Sequence, residues 1–454
     1  MFERDQHASD GPMTSTLLRT QESMLRELDS RVEFAMRPDL ASLVHWKQNN
    51  TAPVHRWYRY REGFSPKLID VLGLGDRILD PFAGSGSVMV GAAERGLSSA
   101  GIDVNPLATF VAGVKLAPLS REQIAMVGAH IELIQSGRFA TEEWPIPALN
   151  IAHKLFEPTI MTAMMQLRRT IEDHVDDDAV HRYLLLAWIS SLESVGSYFK
   201  EGNGIKYRNM KRAPISYVRR PEGEWQRARF GDDQRAFAVQ TYTRRLQDML
   251  EDEGRIDRGA WSPQRIETGN AAEVLPNLHG EMDSILFSPP YANRFDYFEA
   301  LKVELWFGGF VSTYEELRKL RKSSMRSHLA SDLTQPSASL EELSGLIALM
   351  DESSYAMRTR VPGLLAGYFD DMRKVLEQCR RLLARGGRVF VVVGNSAYAG
   401  VIVPSDALIA EIGRRVGFSN VRVSVVRPLA VAPQQRLRLD GLSQYMRESV
   451  VELW

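Results

Sequence analysis

The feature that most narrows the fold of this chain is the run Asp80-Pro81-Phe82-Ala83-Gly84-Ser85-Gly86. It follows a short apolar stretch, Arg77-Ile78-Leu79-Asp80, that reads as a strand. It precedes residues 87–96, which read as a helix ended by glycine, and residues 99–103 read as the next strand. A strand, a tight loop, a helix and a second strand imply a parallel α/β sheet. Glycines in such a loop let the backbone approach a ligand closely, and the helix start offers free N–H groups.

The spacing discriminates among ligands. A dinucleotide site requires a third glycine where this chain has Met89, and a phosphate loop requires a lysine that is absent here. A methyl donor such as S-adenosyl-L-methionine carries no phosphate. It needs a close backbone, a group for its amino end and a carboxylate for its ribose. Asp80 suits the amino end and Asp103, closing the next strand, suits the ribose. A plain tight turn is the competing reading of the loop.

A second motif, Ser288-Pro289-Pro290-Tyr291, ends an expected strand over 284–288. Two prolines fix φ and remove two N–H donors, which leaves carbonyl oxygens that only accept. Acceptors suit an exocyclic amino group, and Tyr291 could stack on a base flipped out of a duplex. The bland alternative is a proline-stiffened turn with a core tyrosine.

With both motifs in view, the chain resembles the amino-methyltransferases of DNA, which act on adenine N6 or cytosine N4. The run 80–86 resembles the family's donor motif, and Ile102-Asp103-Val104-Asn105-Pro106 resembles its acidic ribose motif. Thr268-Gly269-Asn270-Ala271 resembles the segment against the donor's adenine, with Asn270 where the family more often has Asp. Trp57-Tyr58-Arg59-Tyr60-Arg61-Glu62-Gly63-Phe64 resembles the lead-in over the methionine end. The resemblance implies a Rossmann-like S-adenosylmethionine-dependent methyltransferase sheet with a large, mainly helical insertion. It implies Asp80, Phe82, Ala83, Gly84, Gly86, Asp103, Asn105, Asn270 and Ala271 as donor-binding residues, and Ser288, Pro289, Pro290 and Tyr291 as the catalytic turn. Serine at the first catalytic position is the habit of cytosine-N4 enzymes. Adenine-N6 transfer, a base amine in RNA, and a non-catalytic DNA-binding protein on this fold are the alternatives. Duplex DNA is the implied partner, in an intracellular, prokaryotic setting. A cognate restriction endonuclease or other defence-system proteins are left open as companions.

Composition removes other classes. The only cysteine, Cys379, lies in a helical stretch without the Pro-Cys turn that ring-carbon methylation of cytosine uses. No Cys/His cluster for a metal and no disulfide framework are expected. No apolar run approaches the ~20 residues of a membrane span, and the polar start, residues 1–12, does not read as a secretory signal. The net charge is −1, so any nucleic-acid contact must come from local clusters. Residues 197–230 hold Lys200, Lys206, Arg208, Lys211, Arg212, Arg219, Arg220, Arg227 and Arg229 against three glutamates. A second cluster holds Arg318, Lys319, Arg321, Lys322 and Arg326. Lys200, Lys206, Arg208, Lys211, Arg212, Arg321 and Lys322 are the expected nucleic-acid contacts; solvated faces are the alternative.

The expected organisation is an N-terminal helical segment (1–45), a donor-binding half (46–117), a helical insertion (118–262) and a catalytic half (263–454). The N-terminal helix is expected over 14–36. Long helices are expected at 123–134, 155–173, 180–199 and 234–251, then a helix at 368–383, a strand at 388–393, a helix at 405–416 and strands near 421–426 and 449–453.

Overall fold

The computed structural model describes residues 15–201, 204–207, 227, 229–335, 337, 340–351, 359–431, 438–439 and 441–454. Its frame is an eight-stranded sheet. The strands are β1 (Glu33–Met36), β2 (Arg77–Asp80), β3 (Ser98–Asp103), β6 (Gln264–Thr268), β7 (Met282–Phe287), β8 (Leu383–Gly394), β11 (Val421–Pro428) and β12 (Arg447–Leu453), while β4 (Tyr198–Glu201) with β5 (Gly204–Tyr207) and β9 (Ser396–Tyr398) with β10 (Val401–Val403) form separate two-stranded sheets. Their spatial order is β1-β11-β12-β8-β7-β2-β3-β6. Every pairing is parallel except those of β12, which runs against both β8 and β11. The architecture is α/β and Rossmann-like.

A parallel sheet must be covered on both faces, so its central strands carry apolar side chains in both directions. Successive residues divide between two cores with period two. Leu79, Ile285, Phe287, Val389 and Val391 pack under the helices Val361–Leu382 and Ser405–Arg415. Ile78, Leu286, Phe390 and Val392 face the opposite way, onto Leu68, Ile69 and the helix Ser87–Glu94.

Chain order matters for the site. From β2 the chain moves outward to β3 and then β6, and β7 returns to the other side of β2. Strand order therefore reverses between β2 and β7, and such a switch opens a crevice at the carboxyl ends of the strands.

The region between β3 and β6 is helical, with helices Arg121–Gln135, Pro158–His174, Asp178–Val195 and Gln234–Arg255. Their apolar faces share one core with Trp57, Leu107, Val111 and the helix Lys302–Phe307. Buried Asp252 ties the longest of them to the lead-in. It accepts from Val54 N (3.0 Å), Trp57 Nε1 (3.0 Å) and the Arg56 guanidinium (2.7 and 2.9 Å).

Three expectations need correction. The N-terminal helix stops at Ser30, and Glu33–Met36 is β1, parallel to β11 at the sheet edge. The stretch from Val32 alternates rather than repeating at helical spacing, and that suits an edge strand. The helix expected over 180–199 ends at Val195; Gly196 is extended, and Tyr198–Glu201 pairs with Gly204–Tyr207 as a hairpin, β4 and β5. The helix expected from 368 begins at Val361, with Pro362 in its first turn where no N–H is needed. Within the hairpin region, Arg208, Lys211 and Arg212 lie outside the described residues. Among the described residues no helix is long and apolar enough to cross a membrane, and no cluster of three metal-ligating side chains occurs.

Asp252 is 0% exposed, so Asp252→Ala would leave the Trp57 indole N–H and the Val54 N–H without their acceptor and remove the main partner of the half-buried Arg56. Each buried donor left unsatisfied costs about 1–3 kcal/mol. The expected result is a large fall in the urea midpoint with little change in slope.

Candidate active site

At the switch point a cavity of about 360 Å³ opens over the ends of β2, β3 and β7. The loop after β2, the turn after β7, Asp103 and the lead-in around Tyr60–Phe64 all line it. Parallel pairing explains their meeting. Ile78 lies opposite Ser284 and Leu79 opposite Ile285, so the loop that follows Asp80 runs level with the end of β7 and the start of the turn at Ser288.

The donor loop is shaped by two glycines in the left-handed region, Gly84 at φ +50° and Gly86 at +83°. A Cβ on Gly84 would sit 2.8 Å from the Tyr60 ring, so the loop and lead-in touch without intervening side chains. Gly86 is not part of the cavity lining. It turns the chain into the helix Ser87–Glu94, and its missing Cβ leaves room for Ala112 (3.0 Å). Phe82 lines the cavity and packs on Phe287 at 5.5 Å. Ala83 lines it too, with its N–H donating to the Ile102 carbonyl (2.8 Å).

Asp103 accepts from Gly84 N through Oδ2 and from Asn105 N through Oδ1, both at 2.8 Å. Asp80 accepts from Phe82 N at 3.0 Å. Burial raises the Asp103 carboxyl to about 6, against which these N–H bonds pull. Burial, helped by the nearby Asp103 charge, raises Asp80 to about 8. Burial also raises Glu62 on the lead-in, offset in part by Lys200. Neither aspartate forms an ion pair with a basic side chain in the described residues. A cavity holding unneutralised carboxyl groups suits a ligand that carries positive charge.

Asn105 caps the helix Pro106–Leu116, accepting from Leu107 N at 3.0 Å, while its buried Nδ2 has no hydrogen-bond partner among the described residues. Asn270 caps the helix Ala271–Val274, accepting from Ala272 N (3.0 Å) and donating to the Ser323 carbonyl (2.8 Å). Ala271 lines the cavity beside it. These features fit S-adenosyl-L-methionine: carboxyls for its ammonium and ribose, a spare buried amide, and glycine backbone in reach of its chain.

On the other side of the turn, the Tyr291 hydroxyl donates to Glu448 Oε1 at 2.9 Å. Gly394 leaves room for the Tyr291 ring, since a Cβ there would lie 2.9 Å from Cε2. Ser288, Pro289 and Pro290 line the cavity with Tyr291.

The basic residues divide. The Lys200 side chain, 9% exposed, is paired with buried Glu304, and Arg61 bonds both Glu193 and the Lys200 carbonyl. Arg321 pairs with Asp296 and Glu299. Arg326 is buried on Asp370 and Asp371. These charges answer internal carboxylates rather than solvent. Lys206 is half-buried on β5, which packs on the helix Tyr297–Ala300 following the 288–291 turn, and Lys322 is exposed.

Several lining residues escaped the sequence reading: Tyr297, Phe298, Arg427 and Glu448, while Ser324, Met325, Ser327 and His328 line the cavity from within the 318–328 stretch read as a candidate nucleic-acid contact. His328 is buried, with Nδ1 accepting from Ala330 N (3.2 Å) and Nε2 bonded to Ser324 Oγ (3.0 Å). No local motif marks these positions; they reach the cavity from distant elements.

Comparison with known proteins gives one consistent neighbourhood. The chain is 25% identical over 434 residues to the Type II methyltransferase M.BsoBI of Geobacillus stearothermophilus, covering 85% of this chain and 82% of that protein. The chain is similar to Type II methyltransferases. M.AvaI of Nostoc sp. is 23% identical over 416 residues, covering 85% and 83%. M.MjaII of Methanocaldococcus jannaschii is 34% identical over a shorter stretch of 96 residues, 20% of this chain and 18% of that protein. No family model matches. Among solved structures, a Haemonchus contortus phosphoethanolamine N-methyltransferase 1 shares 11% identity at a TM-score of 0.15, a likeness too slight to bear on the fold.

The raised carboxyls set a pH dependence. A donor whose ribose hydroxyls met Asp103 and whose ammonium met Asp80 would bind best to the two carboxylates, so any proton on either would have to leave as it binds. The Asp103 group is ionised above about 6 and Asp80 above about 8. Donor affinity should therefore rise as pH increases from 5.5 to 7.5. In titration calorimetry Asp103→Asn should bind more weakly at pH 7.5 and show a flatter profile. An unchanged profile would remove Asp103 from the donor site.

Proposed function

We propose that the protein is a DNA methyltransferase that transfers a methyl group from S-adenosyl-L-methionine to the N4 amino group of cytosine in a specific duplex sequence. The observation that carries this reading is the donor loop and the 288–291 turn lining one cavity at the switch point. The nearly full-length similarity to Type II methyltransferases supports it. Serine at position 288, the habit of cytosine-N4 enzymes, supports the choice of base.

The donor supplies a methyl group activated by its sulfonium charge. The chain's own residues supply position and polarity. Asp103 takes the ribose hydroxyls and Asp80 the ammonium. Acceptor oxygens of the Ser288-Pro289-Pro290 turn bond the amino hydrogens, drawing the nitrogen lone pair out of conjugation with the ring. The nitrogen then forms the new N–C bond as the S–C bond breaks, and one amino proton leaves to solvent. Tyr291, braced by Glu448, offers a flat face to a base flipped from the helix.

Duplex binding is assigned to the basic stretch that begins at the β4–β5 hairpin, through Lys206, Arg208, Lys211 and Arg212, and to Lys322. Lys200 and Arg321 act indirectly, holding the hairpin and the segment after the turn beside the cavity.

Purified protein should transfer tritiated methyl groups to unmodified duplex DNA, and digestion should release N4-methylcytosine. N6-methyladenine would correct the base, and transfer to RNA alone would sink the reading. Tyr291→Ala should lower kcat by roughly a hundredfold while leaving donor affinity near wild type, with Tyr291→Phe retaining most activity because the ring remains. Full activity of Tyr291→Ala would exclude stacking.

Lys206→Ala combined with Lys322→Ala should weaken duplex binding at all sequences. Two lost phosphate contacts would reduce the log–log salt slope by about 1.8, and an unchanged slope would return both lysines to solvated surface.

A further inference from the structure

Asp103 on β3 marks one end of the cavity, and the turn after β7 stands at its middle. If the donor lies between them, as proposed above, the acceptor base must enter on the far side of the turn, over β8 and β12. β12 lies two strands beyond β7, about 10 Å at ordinary strand spacing. That wall is built from Glu448 on β12 and Arg427 on β11, with His45 and Trp46 completing the cavity lining there.

The pair is held in an ordered way. Glu448 is 4% exposed. One of its oxygens accepts from the Tyr291 hydroxyl (2.9 Å) and the other from Arg427 Nε. The Arg427 guanidinium is thus two hydrogen bonds from the 288–291 turn, anchored at Nε by a buried carboxylate. Its two terminal NH2 groups have no hydrogen-bond partner among the described residues, and its side chain is 37% exposed. It is the free basic fork on this wall among the described residues.

We propose that Arg427 reads the flipped base, donating from its terminal nitrogens to ring N3 and the O2 carbonyl of cytosine. Cytosine presents its amino group, N3 and O2 in succession along one edge. With the amino group at the 288–291 turn, N3 and O2 follow as two acceptors, which a planar donor fork matches. Adenine offers one acceptor, N1, beside its amino group and then a C–H. The fork therefore favours cytosine over adenine on chemistry independent of the residue at position 288. Glu448 is a positioning residue that orients both Arg427 and Tyr291. The inference rests on the cytosine-N4 reading and names the side chain that enforces it.

The same fork could instead hold a backbone phosphate, and the test separates the two. Methylation mapping of DNA from cells expressing the protein supplies the target sequence. Two duplexes then carry that sequence, one intact and one with an abasic site in place of the target base. Arg427→Lys keeps a charge beside Glu448 but loses the fork; Arg427→Met removes both. Binding is measured with S-adenosylhomocysteine present, and turnover with the intact duplex. Both variants should bind S-adenosylhomocysteine and the abasic duplex like wild type. Both should lose roughly ten- to a hundredfold in kcat/KM on the intact duplex, the range of a bidentate base contact. Equal weakening on the two duplexes would assign Arg427 to a phosphate and overturn the proposal, as would unaltered turnover. Wild-type formation of N6-methyladenine would overturn the cytosine reading and this inference together. N4-methylcytosine with unaffected variants would overturn this inference alone. Should Arg427→Met melt early, Arg427→Lys decides.

Discussion

The parallel pairing of β2 with β7 is the contact on which the site depends. Residues Asp80 and Ser288 are more than two hundred positions apart, yet Ile78 and Leu79 lie opposite Ser284 and Ile285. A slip of one residue would turn Leu79 and Ile285 from one core to the other. The apolar packing on both faces thus locks the register, and the register sets the donor loop level with the Ser-Pro-Pro-Tyr turn. Placing β7 on the other side of β2 from β3 then opens the crevice between them.

That crevice is electrostatically unfinished. Asp80 and Asp103 are held by backbone N–H groups but, among the described residues, by no basic side chain, and burial pushes both carboxyls upward. Other buried acids of the fold are paired with basic side chains: Glu304 with Lys200, Asp252 with Arg56, Asp406 with Arg447. The contrast marks a place where a ligand, rather than the protein, supplies the counter-charge.

The helical region is tied to this crevice by polar contacts as well as by a shared core. Asp252 grips the lead-in at Val54, Arg56 and Trp57, and the lead-in continues to Tyr60 against Gly84. Arg61 and Lys200 fasten the β4–β5 hairpin to the same segment. Substrate bound along the hairpin would be registered on the donor loop through a short run of hydrogen bonds. The same economy explains why basic residues that look available in the sequence, Lys200, Arg321 and Arg326, answer internal acids.

The chain by itself determined the strand–loop–helix unit at residues 77–103 and the proline turn at 288–291, because glycines, prolines and apolar runs act locally. It also determined that Asp103 closes a strand beside that loop. What it did not determine was decided by contacts between distant segments. Residues 33–36 form a strand because β11 offers an edge, and Tyr198–Glu201 forms half of a hairpin because extended Gly196 ends the helix before it. Glu448 and Arg427 carry no motif; they join the site because β12 and β11 lie beyond β8 in the sheet, where Glu448 reaches back to Tyr291 and Arg427 to Glu448. Local backbone preferences are written in neighbouring residues, whereas the wall facing the 288–291 turn exists only once strands separated by more than a hundred residues have paired.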